Sequence, residues 1–413
     1  EVFNQLDELG DTQGNLTLEG ETVTLQQLRG IELNPRAAAL AELVLWIGYL
    51  QWQIRTFGNA GVAEPVVHNY GNIENRDAVL AWDACIPVLD ATGRPLTRWD
   101  GVTKKIHPVT GNLVPDETAQ VPQSRYIGAR QADWPAADFI VGNPPYIGAR
   151  TVRQALGDGY LSALRSAHPS IPENADFVMY WWDKAASLVN AGAVHRFGLI
   201  TTNSLRQTFN RVLLDQWLGH NISLAYVIPD HPWVDSADGA AVRVAMTVAQ
   251  AGKTAGLLRI VTTETPLNDG EFSIEVQESS GLITPSLTIG IDVPAAPALR
   301  ANRGMSCVGY QLTGRGFRVE QAKAKILDPN FGTTKARIRP MLTGSDITQN
   351  TSDAYAIDLY GLTADDLRKQ YPAIYQWVYD TVKPERDQNR DTFSRENWWV
   401  FARPRPDFRP ALQ

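Results

Sequence analysis

Residues 138–150 read DFIVGNPPYIGAR. A short apolar strand, Phe139 to Val141, is predicted to run directly into Asn143, Pro144, Pro145 and Tyr146. Two consecutive prolines hold φ near about −65° and remove two backbone donors, so the turn is stiff and presents only acceptors. Those acceptors are the Asn143 amide oxygen and the Pro144 carbonyl. Open α/β sheets bind ligands at the carboxyl ends of their strands, and a pair of convergent acceptors there suits an NH2 group. Held this way, an exocyclic amine has its lone pair drawn out of conjugation with the ring, on whose face Tyr146 can stack.

Upstream, residues 28–53 predict strand, turn and helix. LRGIEL is a short apolar run, Asn34 is a capping residue, and Pro35 suits a first helical turn. The following AAALAELVLWIGYLQW is apolar almost all round, which predicts a helix buried against a sheet. Further strands are predicted at Val79–Trp82 and in FGLITT, Phe197–Thr202, with a helix over Asp176–Val189. Strands separated by helices imply an α/β fold with a parallel sheet covered on both faces. Between Cys85 and Trp134 this pattern breaks, and TKKIHPVTGNLVPDE carries turn chemistry that predicts an inserted hairpin, about residues 86–134. From residue 256 the chain grows rich in Thr, Val, Gly and Pro, which predicts a β-rich connector over 256–330. A mixed segment, 331–413, follows, with a helix from Thr363 to about Val382 and the aromatic, basic NWWVFARPRPDFRP.

A chain of 413 residues with 44% apolar content has room for a catalytic domain, 1–255, and part of another. Two cysteines, Cys85 and Cys307, make neither a disulfide framework nor a zinc-type spacing, so a reducing, cytoplasmic setting and no metal are expected. The apolar run at 37–52 contains Glu42 and is expected to be too short to span a bilayer. The net charge of −7 argues mildly against a dedicated nucleic-acid binder. From Phe331 onward, however, twelve Lys or Arg balance eleven Asp or Glu, so the acidity lies mostly upstream. His168, His195 and His231 are too scattered to form a ligand set, and Trp181 and Trp182 read as core.

Asn143-Pro144-Pro145-Tyr146 resembles motif IV of the amino-group DNA methyltransferases, which use S-adenosyl-L-methionine. Gly30-Ile31-Glu32-Leu33-Asn34-Pro35 resembles their motif II, and Arg76-Asp77-Ala78-Val79-Leu80 their motif III, in the order of the γ-type enzymes. ENADFVMYWWDKAASLV, RFGLITTNSLRQ and HPWVDSADGAAVRVAMTVA, with IRPMLTGSDIT, VKPERDQNR and ENWWVFARPRP further on, are similar to the MmeI-type adenine methyltransferases and the DISARM phage-defence methylases. The resemblance covers nearly the whole chain. It implies a Rossmann-like class I methyltransferase sheet with helices on both faces, then the connector and the start of a target-recognition domain.

It further implies that Asn143, Pro144, Pro145 and Tyr146 act on the N6 amine of an adenine flipped out of double-stranded DNA. Glu32 and Leu33 are implied to take the ribose and adenine of the cofactor, with Asp77 and Ala78 at its adenine amine, and Trp233 in HPW to stack on the flipped base alongside Tyr146. Other subunits of a defence system are implied partners; neither membrane nor metal is. N4-cytosine methylation, methylation of a protein glutamine, and a catalytically silent DNA-binding or assembly subunit are the alternatives that the same residues leave open. The sequence departs from the family at its front, where no glycine-rich motif I loop occurs. The expectation is therefore an internal fragment that binds the cofactor weakly, since half a site must still offset the ordering cost of binding.

Overall fold

The computed structural model describes residues 24–58, 70–108, 111, 113–149, 151–233, 242–266, 272–292, 296–297, 299–302, 304–305, 308–348, 353–389, 391–406 and 409–412. Cys307 lies outside them; Cys85 is an exposed free thiol. The chain divides into two compact units, residues 1–87 with 124–296, and 88–123 with 297–413.

In the first unit, β1 (Gly30–Glu32) and β2 (Ile73–Asn75) pair in parallel, joined through α1 (Pro35–Phe57). The start of α1 follows from its residues: Asn34 accepts the N–H groups of Arg36 and Ala37, and Pro35 opens the first turn. Its expected burial is overturned. Leu40, Leu43, Val44, Ile47 and Ile54 are exposed, and Ala38 and Trp52 are buried. A helix that is apolar on every side needs cover on every side, and two short strands can cover only one stripe of it. The helix also continues past the apolar run that marked it. Pro35–Thr56, with mean hydropathy 1.2, is long and apolar enough by length and composition to cross a bilayer, which corrects the expectation that it is too short.

A six-stranded sheet follows. It contains β3 (Phe139–Gly142), β4 (Arg196–Thr202), β5 (Ile222–Trp233), β6 (Val242–Ala251), β7 (Gly256–Pro266) and β8 (Phe272–Gly281), in the order β3-β4-β6-β5-β7-β8. The predicted parallel sheet is found only in part. β3/β4 and β5/β7 are parallel, whereas β4/β6, β5/β6 and β7/β8 are antiparallel. The pairs β5/β6 and β7/β8 are joined by connections too short for a crossover, and such connections reverse strand direction.

Two helices accompany the sheet, α3 (Met179–Asn190) and α4 (Thr208–Gly219), while α2 (Asp158–Ala167) packs against the short strands Ser124–Ile127 and Arg130–Gln131. α3 lies on the face formed by Phe197, Leu199, Thr247 and Ala249, and α4 packs beside it against β5. The Trp182 ring meets Phe197 edge-on at 5.1 Å, so Trp182 belongs to the core, as its sequence context predicts. Cover on both faces is not found at β3 among the described residues: Phe139 and Val141, which point away from α3, are 63% and 79% exposed.

Residues 84–127 form nested antiparallel pairs. Ala84–Pro87 pairs with Ser124–Ile127, Thr97–Trp99 with Gln120–Pro122, and Lys104–Ile106 with Leu113–Pro115. The second unit takes the outer part of this arm. It also has a three-stranded antiparallel sheet, β9 (Arg318–Glu320), β10 (Ile338–Pro340) and β11 (Ala354–Ile357), in the order β9-β11-β10, together with α5 (Pro372–Thr381). Phe317, Ile357, Ile374, Val378, Trp398 and Phe401 lie in its separate core.

Candidate active site

β3 ends at Gly142, whose partner on β4 is Leu199. A Cβ at Gly142 would stand 3.2 Å from the Leu199 side chain, so the small residue lets the strand close on its neighbour just before the turn. Pro144 is buried, Asn143 and Pro145 are exposed, and Tyr146 is half-buried. Within the turn the Tyr146 hydroxyl donates to the Asn143 side-chain oxygen. Partial burial pushes the Tyr146 phenol above its usual range, with the Asn143 contact opposing, so the hydroxyl keeps its proton at neutral pH. The Pro144 carbonyl has no hydrogen-bond partner among the described residues. Of the two expected acceptors, one has no hydrogen-bond partner among the described residues and one is covered by the neighbouring phenol.

The turn is tethered downstream. The Ile147 carbonyl accepts from Phe177 N at 2.9 Å, and the Ala149 N–H donates to Asp176 Oδ1 at 2.9 Å. Asp176 Oδ2 accepts from Ser204 Oγ at 2.6 Å and Asn210 Nδ2 at 2.8 Å, and Asp176 N donates to Asn210 Oδ1 at 2.9 Å. Sequence reasoning assigned Asp176, Ser204 and Asn210 no part. An Asp just before an apolar helix has the look of a cap, and nothing local shows that its carboxylate turns elsewhere.

The parallel pairing of Glu32 with Asn75 brings Glu32 and Asp77 to the carboxyl end of β1 and β2. Asn75 Nδ2 donates to the carbonyls of Glu32 and Leu33 at 2.9 Å each, which holds the exit of β1. Glu32 Oε1 accepts from Asn34 N at 2.7 Å, and the Leu33 side chain is 63% exposed. Asp77 is buried and largely committed. Its Oδ1 accepts from Val79 N at 2.8 Å and Leu80 N at 2.9 Å, and its Oδ2 from the Tyr160 hydroxyl at 2.6 Å. Burial and the adjoining Asp77 carboxylate keep the Tyr160 phenol protonated well beyond its ordinary range. The Ala78 carbonyl accepts from Trp134 Nε1 at 2.6 Å.

Trp233 ends β5, at the same end of the sheet as Asn143 and paired with Val242. Three strand spacings separate β5 from β3, about 14 Å in all. Among the described residues Trp233 has no ring contact with Tyr146. The structure thus yields three groups, Asn143–Tyr146, Glu32–Asp77 and Trp233, with no direct bond joining one to another among the described residues. Among those residues, too, no group of three or more His, Cys, Asp or Glu side chains is placed to hold a metal ion.

The sequence profile described as MmeI, DNA-methyltransferase domain, matches residues 2–259. No curated protein matches the sequence. Among solved structures, the Type IIL restriction-modification enzyme MmeI in complex with DNA aligns at 18% identity and a TM-score of 0.48, over 64% of this chain and 35% of that one. A modification subunit of a putative type I restriction enzyme from Vibrio vulnificus YJ016 aligns at 14% identity and a TM-score of 0.23, over 32% of this chain and 26% of that one. The chain thus spans about a third of the length of the MmeI chain and about a quarter of the other.

Proposed function

Because the chain belongs to the family of MmeI-type DNA-methyltransferase domains, we propose that it methylates the N6 amine of adenine in duplex DNA, with S-adenosyl-L-methionine as donor, in restriction-modification or phage defence. The observation that carries this reading is the Asn143–Tyr146 turn. It is a stiff turn, built on two prolines, that closes a strand of the main sheet and offers the Asn143 and Pro144 oxygens as acceptors beside an aromatic ring. The two-stranded unit β1–β2 and the β3–β4 edge are read as parts of one Rossmann-like sheet, with 331–413 as the opening of a target-recognition domain. Other subunits of a defence complex are proposed partners, and the cytoplasm, where duplex DNA lies, is the proposed setting.

In this reading the target adenine leaves the stack at a cost of a few kcal/mol. Its ring lies on Tyr146, with Trp233 as a second stacking surface from the end of β5. The amine donates one N–H to Asn143 Oδ1 and one to the Pro144 carbonyl, which leaves its lone pair on nitrogen rather than in the ring. The cofactor supplies an electrophilic methyl group. Its adenosine end fits the exposed Leu33 side chain and the second oxygen of Glu32, which lie at the exit of β1. Asp77 and Ala78 fit less well. The Asp77 carboxylate already accepts three bonds, so only a remaining lone pair of Oδ2 is left for an adenine amine.

Tyr146 supports the reaction through its ring, while its hydroxyl competes with the substrate amine for Asn143. Tyr146→Phe is therefore expected to raise kcat/KM about two- to tenfold, the worth of one neutral hydrogen bond. A fall of similar size in steady-state assays would mean that the hydroxyl serves the reaction directly. The proposal as a whole is tested by incubating the full-length protein with duplex DNA and labelled cofactor, then identifying the modified nucleoside by mass. N6-methyladenine supports it; N4-methylcytosine, a methylated protein amide, or no transfer points to one of the other readings.

A further inference from the structure

We infer that Asp176 is a positioning residue that sets the Asn143–Tyr146 turn against the end of β4; this rests on the reading of that turn as the amine-binding site. Three segments converge on its carboxylate. Ala149 N, three residues past Tyr146, donates to Oδ1 at 2.9 Å. Ser204, two residues past the end of β4, donates to Oδ2 at 2.6 Å, and Asn210, in the first turn of α4, donates to Oδ2 at 2.8 Å. Backbone bonds close the figure: Phe177 N donates to the Ile147 carbonyl, Asp176 N to Asn210 Oδ1, and Asn210 Nδ2 to the Ser204 carbonyl at 3.0 Å.

The ordinary role for an Asp here is to cap α3, yet α3 has no side-chain cap, and the Asp176 carboxylate serves the two loops instead. Three bonds donated to one carboxylate fix the exit of β3 relative to the exit of β4. Such bonds are directional, so the turn is held in one place while remaining open to substrate. A carboxylate is required because every partner that meets it is a donor.

The test uses the full-length protein. Asp176→Asn keeps the size of the side chain and can still accept from Ala149, but its second group becomes a donor facing the Asn210 donor. Single-turnover methyl transfer to duplex DNA is expected to fall about 100-fold, the scale of a misplacement near 1 Å, with DNA affinity within about twofold of wild type. Adding Asn210→Asp restores one donor to one acceptor while losing the Asn210 Nδ2 bond to the Ser204 carbonyl, so the double variant is expected to recover in part, to within about tenfold of wild type. A role confined to stability would not produce that rescue at constant DNA affinity. A second readout needs no activity: amide hydrogen exchange over residues 143–151 is expected to rise about tenfold in Asp176→Asn and to return in the double variant. Wild-type rate and exchange in Asp176→Asn would overturn the inference, as would a double variant that recovers neither. If the wild type transfers no methyl group while exchange follows the expected pattern, the amine-site reading fails and the positioning role stands.

Discussion

Asn143→Ala in the full-length protein is expected to lower the single-turnover rate of methyl transfer by about 10²- to 10³-fold, about 2.7–4 kcal/mol, by analogy with the loss of one preorganised partner from a charge-stabilising site. In the proposed reading the substitution deletes one of the two acceptors that hold the amine as its lone pair leaves the ring. That interaction strengthens in the transition state, so the loss falls on kcat more than on KM. Folding is expected to change little. Asn143 is exposed, and its described side-chain bond goes to the Tyr146 hydroxyl, worth about 0.5–1.5 kcal/mol net. In the same reading DNA affinity is carried by contacts away from this turn and is expected to change little. A variant that retains activity within about threefold of wild type would contradict the role assigned to the turn.

Trp182→Ala carries the largest expected effect on stability, about 3–5 kcal/mol. The ring is fully buried on α3, meets Phe197 of β4 edge-on, and directs its Nε1 at Thr247 Oγ1 of β6, 3.4 Å away. Truncation removes this aromatic contact and leaves a cavity between the helix and the middle of the sheet, in a core too closely packed to collapse fully. The loss is read from the urea midpoint by far-ultraviolet circular dichroism, at unchanged m-value. A shift worth less than about 1 kcal/mol would mean that α3 does not seat on β4 and β6 as described.

How much of this was legible in the sequence depended on how local the physics was. The stiffness of the Asn143–Tyr146 turn could be read because two of its four consecutive residues, Pro144 and Pro145, constrain their own backbone through their rings. The start of α1 was legible for the same reason, since Asn34 and Pro35 act within one turn. The Trp182 environment followed from an apolar helix face. The covering of α1 did not follow, because composition records that a helix is apolar without recording how many neighbours it meets. Strand direction in the six-stranded sheet was also hidden, being set by which strands are joined by short connections. The predicted helix from Thr363 to Val382 is broken at Tyr371, where Pro372 starts a new one. Asp176 escaped notice because its partners lie 27, 28 and 34 residues away, and no local pattern links positions that meet only through the tertiary fold.

The central claim, that a flipped base stacks on Tyr146 with its amine at Asn143, is tested most directly by photocross-linking. Once the modified adenine has been located, a duplex carrying 5-iodouracil at that position is irradiated with the full-length protein, and the attached peptide is sequenced. Iodouracil couples to the aromatic ring on which it lies, so the account predicts attachment at Tyr146, lost in Tyr146→Ala. Attachment confined to a residue away from 143–146 and Trp233, with Tyr146 unmodified, would contradict it.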